Sequence, residues 1–319
     1  MTDDWGAAAK CKDIFAVALF RRKYMQPKRK KMSLQKRHNL IGWAFLIPAS
    51  LLIFIFCFYP MVQAILLSFK KGMGATGVWN GIGNYTRILK DKTFRQCLFN
   101  TVFYFIIQVP IMLLLALVLA SILNNKDLKV KGLWRTCIFL PCATSLVSYS
   151  MIFRSLFAND GFVNTMLRGL GMTPVMWFAN AWTARFVIII ALIWRWTGYN
   201  MVFYLSGLQN IDSSIYEAAR IDGANGIQQF FKMTIPLLKP TILLTAIMST
   251  SGTLQLFDES VNLTAGGPGK STMTLAHYIF NISFVETPKF NYAAALSVFI
   301  LVCVAILSAI QMKVGDSRD

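Results

Sequence analysis

The sequence predicts an all-α, polytopic membrane protein with six transmembrane helices, and three observations carry that reading. Hydrophobic residues make up 55% of the 319-residue chain and charged ones only 14%, well under the roughly 25% usual in soluble domains. The mean hydropathy is +0.52, which suits a chain solvated mostly by lipid. The apolar residues also gather into six runs, each approaching or exceeding the about 20 residues that a helix needs to cross a bilayer.

In chain order, residues 1–38 form a basic tail with eleven lysines and arginines. It lacks the small-residue cleavage site of a signal peptide, and Asp13 to Phe20 is too short to cross. The residues before Met25 read as a poorly ordered extension or as an upstream start seldom used. Although the formal net charge of +18 is compatible with nucleic acid, cations beside an apolar span fit anionic head groups better. Membrane lipid is therefore the expected partner of the tail, and nucleic acid is not. The span domain, 39–313, then runs through Leu40–Phe69, Asn100–Leu123, Leu133–Phe157, Ala184–Leu208, Thr241–Phe257 and Tyr292–Met312, the fifth being short and rich in hydroxyls. Residues 314–319 close the chain as a second tail. With an even number of spans both termini share a side, and that side holds twenty lysines and arginines in its loops and tails against ten opposite. The positive-inside rule places both termini, and the loop 209–240, in the cytoplasm.

That loop contains EAARIDGANGIQQFFKMTIPLLKP at 217–240. Ser214-Ile215-Tyr216-Glu217 reads as a capping box opening one short helix. Gly223-Ala224-Asn225-Gly226 supplies a turn, and a second helix is expected from about Ile227 until Pro236 ends it. Ala218 and Ala219 are small enough for close approach by another protein, and Phe230 and Phe231 offer apolar anchors. The plain alternative is an amphipathic hairpin resting on the bilayer surface. The segment resembles the EAA motif of the membrane subunits of binding-protein-dependent ABC importers, with Glu217, Ala218, Ala219, Asp222, Gly223, Ala224, Phe230, Thr234, Ile235, Pro236 and Pro240 where that pattern wants them. The resemblance implies a coupling helix hairpin that docks in a separate ATPase subunit, with Glu217, Ala218, Ala219, Asp222, Gly223, Ala224, Phe230 and Pro236 carrying the coupling. It further implies a bacterial plasma membrane location and, as partners, a homologous second permease, two ATP-binding subunits and an extracytoplasmic solute-binding protein. ATP and Mg are then used by the partner subunits, with no cofactor bound by this chain.

Gly269-Lys270-Ser271-Thr272 imitates the end of a phosphate-binding loop, but Thr264 stands where the P-loop needs its first glycine, and no strand precedes it. The stretch from Asn262 to Pro268, with Thr272 and Leu275 after it, instead resembles the segment following the fifth span in carbohydrate permeases of the same superfamily. That likeness extends over Tyr278, Phe284 and Asn291–Ala295, where the family usually has a glycine near Ala293, and over Asp160–Asn164 upstream. It covers about Ile41 to Met312 and is nearest to the first membrane subunit of the maltose and glycerol-phosphate systems.

Six cysteines without a C-x-x-C pair and two distant histidines, His38 and His277, offer neither a disulfide framework nor a metal site. No hydrolase motif is present, so no catalytic residue is expected. Polar residues inside spans mark candidate pathway positions. In the fourth span these are Arg195, Trp196, Tyr199 and Asn200. In the fifth, Thr245, Ser249, Gly252 and Thr253 form a stripe, of which Ser249 and Thr253 are the pathway candidates, with Gln255, Asp258 and Glu259 nearer the outside. Aromatic faces with hydroxyls and amides suit a sugar, of one ring or several. The competing structural readings are helix packing through the hydroxyls and a pairing of Arg195 with Asp258 or Glu259. A glycerol-phosphate or other polyol-phosphate permease remains within the same class. An ion-coupled secondary transporter fits less well, because midspan carboxylates for ion coupling are missing.

Overall fold

The computed structural model describes residues 33–72, 77–125 and 128–315. Most of the basic tail and residues 316–319 lie outside the described residues. The chain divides into two units, Met1–Met61 and Val62–Asp319.

In the first unit, α1 (Leu34–Ile53) starts on Ser33, whose hydroxyl accepts from the Lys36 amide at 3.3 Å. It passes into a π-turn at Phe54–Phe58. Every described side chain of this unit is exposed, Trp43, Phe45 and Phe56 among them, as expected of a helix meant to be covered by lipid or protein. The π-turn ends two residues before Pro60, at the start of α2 (Tyr59–Ser68). A proline has no N–H to give and its ring crowds the carbonyl four residues back, and widening the helix by one residue relieves both problems.

The second unit continues with a two-residue antiparallel pair, β1 (Lys70–Lys71) and β2 (Val78–Trp79), and the short α3 (Gly83–Lys90). Next comes α4 (Lys92–Asn124), 33 residues long. Asp91 caps it with one carboxylate oxygen, which accepts from the Thr93 and Phe94 amides at 2.8 and 3.3 Å. The other oxygen accepts from the hydroxyls of Tyr278 and Tyr292 at 2.7 and 2.8 Å. Burial alone would push this carboxyl up, but these four hydrogen bonds outweigh it and hold the group below the usual carboxylate range.

The expected third span is broken. It consists of α5 (Lys131–Ala143) and α6 (Leu146–Leu156), bent by 99°. Thr144 and Ser145 are extended at the break, and the Thr144 hydroxyl donates to the Pro141 carbonyl at 2.7 Å. With its own hydroxyl taking the place of a helical partner, the chain stops at the proline turn instead of continuing. After α7 (Phe162–Gly169) comes α8 (Ala181–Gln209), a continuous fourth span. It packs against α4 and α5. Where α8 meets α5, a Cβ on Gly198 would fall inside the Ile138 carbonyl oxygen, so the two backbones touch and only glycine fits.

The loop 209–240 folds as α9 (Ser213–Ile221), α10 (Gly226–Gln229), a π-turn at Phe230–Thr234 and α11 (Ile235–Leu237). The fifth span is α12 (Lys239–Leu254), bent by 71° from Gly226–Leu237. Then follow α13 (Asp258–Asn262), α14 (Leu275–Phe280) with a π-turn at Asn281–Val285, and α15 (Phe290–Gly315). Among the described residues four helices are long and apolar enough to cross a membrane, Leu34–Ser68, α4, α8 and α15, and the count reaches six when each bent pair is one span. Two apolar clusters bracket the middle of this unit. One joins Tyr104 of α4, Tyr149 and Phe153 of α6, and Val187 to Leu192 of α8. The other joins Ala116 to Leu123 of α4 with Met201 to Leu208 of α8.

Candidate functional site

Between those two clusters the helices do not fill the interior. A cavity of about 410 Å³ opens there, within the range of roughly 300–1,000 Å³ common for small-molecule sites. All six residues expected on a pathway line it: Arg195, Trp196, Tyr199 and Asn200 from α8, and Ser249 and Thr253 from α12. Residues at i, i+1, i+4 and i+5 on a helix share one face, which is why the α8 group converges. Trp196 and Tyr199 meet edge to face at 5.7 Å, and Tyr199 meets Phe203 at 5.1 Å.

Polar bonds join the three helices across the cavity. The Thr253 hydroxyl donates to Gln108 Oε1 at 3.1 Å, and the Ser249 hydroxyl to Asn200 Oδ1 at 3.5 Å. Asn200 Nδ2 donates to the Trp196 carbonyl at 3.0 Å. Gln108 and Met112 of α4 also line the space, as do Gln255, Asp258 and Glu259 beyond the end of α12. Gln108 was absent from the sequence-derived set, although an amide inside an apolar run two residues before Pro110 is a signal of the same kind as Asn200. Thr245 serves packing instead, since its hydroxyl meets that of Tyr204 at 2.7 Å and donates to backbone carbonyls in its own helix.

Arg195 does not hydrogen-bond Asp258 or Glu259. Its Nη2 donates to the Cys142 carbonyl at 3.5 Å, one of the carbonyls left free where α5 breaks. A cation beside a helix C-terminus also meets the negative end of the helix dipole. Its guanidinium lies over the rings of Tyr149 and Trp196 at 4.7 and 5.6 Å. Nε and Nη1 find no hydrogen-bond partner among the described residues. The sequence offered the pairing with a carboxylate as an alternative role; the observed partner is instead a carbonyl exposed by the unforeseen break in the third span.

The hairpin between α8 and α12 corrects the expected caps. Asp212, not Ser214, begins α9, its carboxylate accepting from the Ser214 amide at 3.0 Å. The reciprocal capping box forms at Asn225 and Gln228, opening α10. The second arm ends at Leu237, one residue past Pro236 and just before the 71° bend, close to the expected stop. A π-turn at Phe230–Thr234 precedes the proline, as one does at Pro60. The turn itself is as expected: Gly223 has φ +81°, a region that costs any other residue about 1–2 kcal/mol. The Ala224 amide bonds back to the Ala219 carbonyl at 2.9 Å. Tyr216 and Thr234 hydroxyls tie the two arms at 3.1 Å, and Gln229 Nε2 donates to the Ala224 carbonyl at 2.8 Å.

Of the eight residues expected to couple, Ala219 is buried and Ala224 and Phe230 are half-buried, Phe230 packing toward the cluster around Leu208. Glu217, Ala218, Asp222, Gly223 and Pro236 are exposed. The apolar side chains most open on the hairpin are Ile221 at 87% and Ile227 at 72% exposure, which the sequence reading did not single out, and Phe231 at 60%, which it named as an anchor.

The segment containing Gly269–Thr272 is strapped to the spans. Asn100 of α4 donates to the Lys270 and Met273 carbonyls at 3.2 and 2.8 Å. Arg185 of α8 reaches the Ser271 carbonyl and Asn100 Oδ1, both at 3.0 Å. The buried Thr272 hydroxyl meets that of Thr264 at 2.7 Å and donates to the Gly267 carbonyl at 2.8 Å.

Comparison with known proteins agrees with this architecture. Residues 112–316 match the family described as binding-protein-dependent transport system inner membrane component. The chain is 49% identical, over 90% of its length and 98% of the relative's, to a lactose transport system permease protein of Rhizobium radiobacter. It is 34% identical to an arabinooligosaccharides transport system permease protein of Halalkalibacterium halodurans, covering 86% and 87% of the two chains. A trehalose/maltose transport system permease protein of Thermococcus litoralis is 30% identical, with 89% and 97% covered. In fold it is similar to a chain of a bacterial ABC transporter that imports the acidic polysaccharide alginate, with a TM-score of 0.78, 21% identity and 88% and 96% of the chains covered. The chain therefore belongs to the family of inner membrane components of binding-protein-dependent transport systems.

Proposed function

We propose that this chain is one permease half of an ATP-driven importer that moves a sugar across the bacterial plasma membrane by alternating access. The observation that carries this reading is a braced hairpin with three exposed apolar side chains, Ile221, Ile227 and Phe231, joining the two helices whose polar residues line the cavity. Exposed apolar side chains on a braced element suit a protein partner, and the ATPase subunit is the partner that the family offers. Closure of two nucleotide-binding subunits around ATP and Mg pushes the hairpin, and α8 and α12 carry the displacement to the cavity. ATP shifts the balance between inward- and outward-facing states by binding one better than the other. A homologous second permease completes the pathway and an extracytoplasmic solute-binding protein delivers the sugar. The hairpin and both termini face the cytoplasm in this scheme, and the ATPase activity belongs to the partners. The sugar class draws support from the relatives named for lactose, arabinooligosaccharides and trehalose or maltose.

The test is purification of the tagged chain from its membrane. An ATPase is expected to copurify, and its hydrolysis to rise when a sugar-loaded binding protein is added. Uptake driven by the chain alone in liposomes, without any nucleotide-hydrolysing subunit, would overturn the scheme. A second reading, a polyol-phosphate permease, is favoured by one observation: the unspent donors of Arg195 in the cavity.

A further inference from the structure

The charges that line the cavity separate those two readings, on the premise that the cavity is the solute pathway. Among its described lining residues, three have a basic or carboxylic acid side chain: Arg195, Asp258 and Glu259. Glu259 and Arg195 line the same cavity, and Asp258 is the neighbour of Glu259 in sequence. Whether or not the buried Glu259 carboxyl holds a proton, the three sum to no net positive charge. The guanidinium is therefore balanced from within the chain.

Its hydrogen bonds are not. Arg195 is only 6% exposed, and its Nη2 donates to the Cys142 carbonyl. Nε and Nη1 find no acceptor among the described residues, and leaving a buried donor unpaired is costly. An acceptor oxygen belongs there. A phosphate or carboxylate would supply one, but would bring its own charge against Asp258 and Glu259 in a space with no positive surplus, after losing its hydration. A neutral sugar supplies an acceptor to Arg195 and offers hydroxyl donors to both carboxylates, while Trp196 and Tyr199 face its C–H surfaces.

We propose that the cavity selects electrically neutral, polyhydroxylated solutes and rejects sugar acids and phosphate esters. Arg195 donates to a sugar oxygen, and Asp258 and Glu259 act as acceptors for sugar hydroxyls and as the barrier to anions. The chain is then unlike a polyol-phosphate permease. It also differs in solute charge from the alginate importer whose fold it shares.

The experiment measures binding to the complex that copurifies with the tagged chain, in nanodiscs and without solute-binding protein. The probes are galactose and lactose against galacturonate and glycerol 3-phosphate. Expected is at least a tenfold preference for the neutral sugars. The double variant Asp258→Asn, Glu259→Gln keeps hydrogen-bonding groups but removes the negative charge, so it should bind galacturonate at least tenfold better than the native complex does. Should the double variant fail to assemble, Asp258→Asn alone, at a half-exposed position, is expected to narrow the preference severalfold. Arg195→Lys should weaken every probe. Binding of galacturonate or glycerol 3-phosphate as tight as that of galactose overturns the proposal, as does an unchanged preference in the carboxylate-to-amide variants. Binding of none of the four removes the cavity as a solute site. Copurification of the ATPase is scored separately, so the importer reading stands or falls by its own result.

Discussion

The hairpin and the cavity break the rule of burial in opposite directions. On the hairpin, Ile221, Ile227 and Phe231 stand uncovered. In the cavity, Arg195, Asn200, Thr253 and Glu259 are buried. The residues just named all lie in one stretch of chain, α8 through α13, yet the two regions lack complementary things. The hairpin lacks an apolar surface to cover it, which a protein provides, and the cavity lacks oxygens to meet its donors and acceptors, which a small polar solute provides. A single chain with both kinds of deficit reads as a part placed between a partner and a cargo.

The comparison is most severely tested where the two regions depend on shared packing. Gly198→Ala places a methyl against the Ile138 backbone, which cannot yield as a side chain would. The expected loss is at least the about 1–3 kcal/mol typical of overpacking, seen as a lower melting temperature in detergent and poor recovery of the complex. A wild-type melting temperature would show slack between α5 and α8. Next in size is Ile221→Asp with Ile227→Asp. Both side chains are on the surface, so the chain itself should fold normally, while ATPase capture falls by roughly 30-fold, the effect of losing one hot spot of about 2 kcal/mol. Undiminished capture would move the docking surface elsewhere. Tyr199→Ala touches only the cavity. Solute-stimulated ATP hydrolysis should drop roughly tenfold, about 1.4 kcal/mol, with assembly retained, and unchanged stimulation would remove Tyr199 from the pathway.

Asp91→Asn serves as the reference, because Asp91 belongs to neither region. It should cost about 1 kcal/mol at neutral pH through weakened hydrogen bonds, with solvent nearby limiting the effect. The folded carboxyl is held below its ordinary value. Its stabilisation is therefore fully present above the unfolded value of about 3.9, and is lost as the pH falls through the folded one. Native and variant melting temperatures should converge in acid, and a gap that widens there would contradict the assigned hydrogen bonds.

The two regions were legible to different degrees. The hairpin's place and its turn could be read because Gly223 is a backbone requirement, stated locally by the sequence. Its true caps could not be singled out, since Asp212, Ser214 and Asn225 are all competent caps and neighbouring geometry chose among them. The six residues of α8 and α12 on the cavity were legible because a polar group in an apolar run is conspicuous. Asp258 and Glu259 were noticed as nearer the outside, but their place on the same cavity as Arg195 was not legible, because the sequence does not fix the path of the chain after Leu254. The break in the third span was the largest surprise. Pro141 hinted at it, but the run from Leu133 to Phe157 is apolar enough to pass as one helix, and hydropathy does not register a hydroxyl that satisfies a carbonyl. Only with that break in view does the partner of Arg195 make sense.

The backbone contact at Gly198 also bears on motion. Two helices separated by side chains can roll or slip as rotamers readjust, but peptide groups pressed together have no such play. As long as that contact holds, α5 cannot turn independently of α8, and the pair travels as one stiff lever. Any change of tilt between the halves of the third span then falls on the extended residues Thr144 and Ser145, which become the pivot of the moving part.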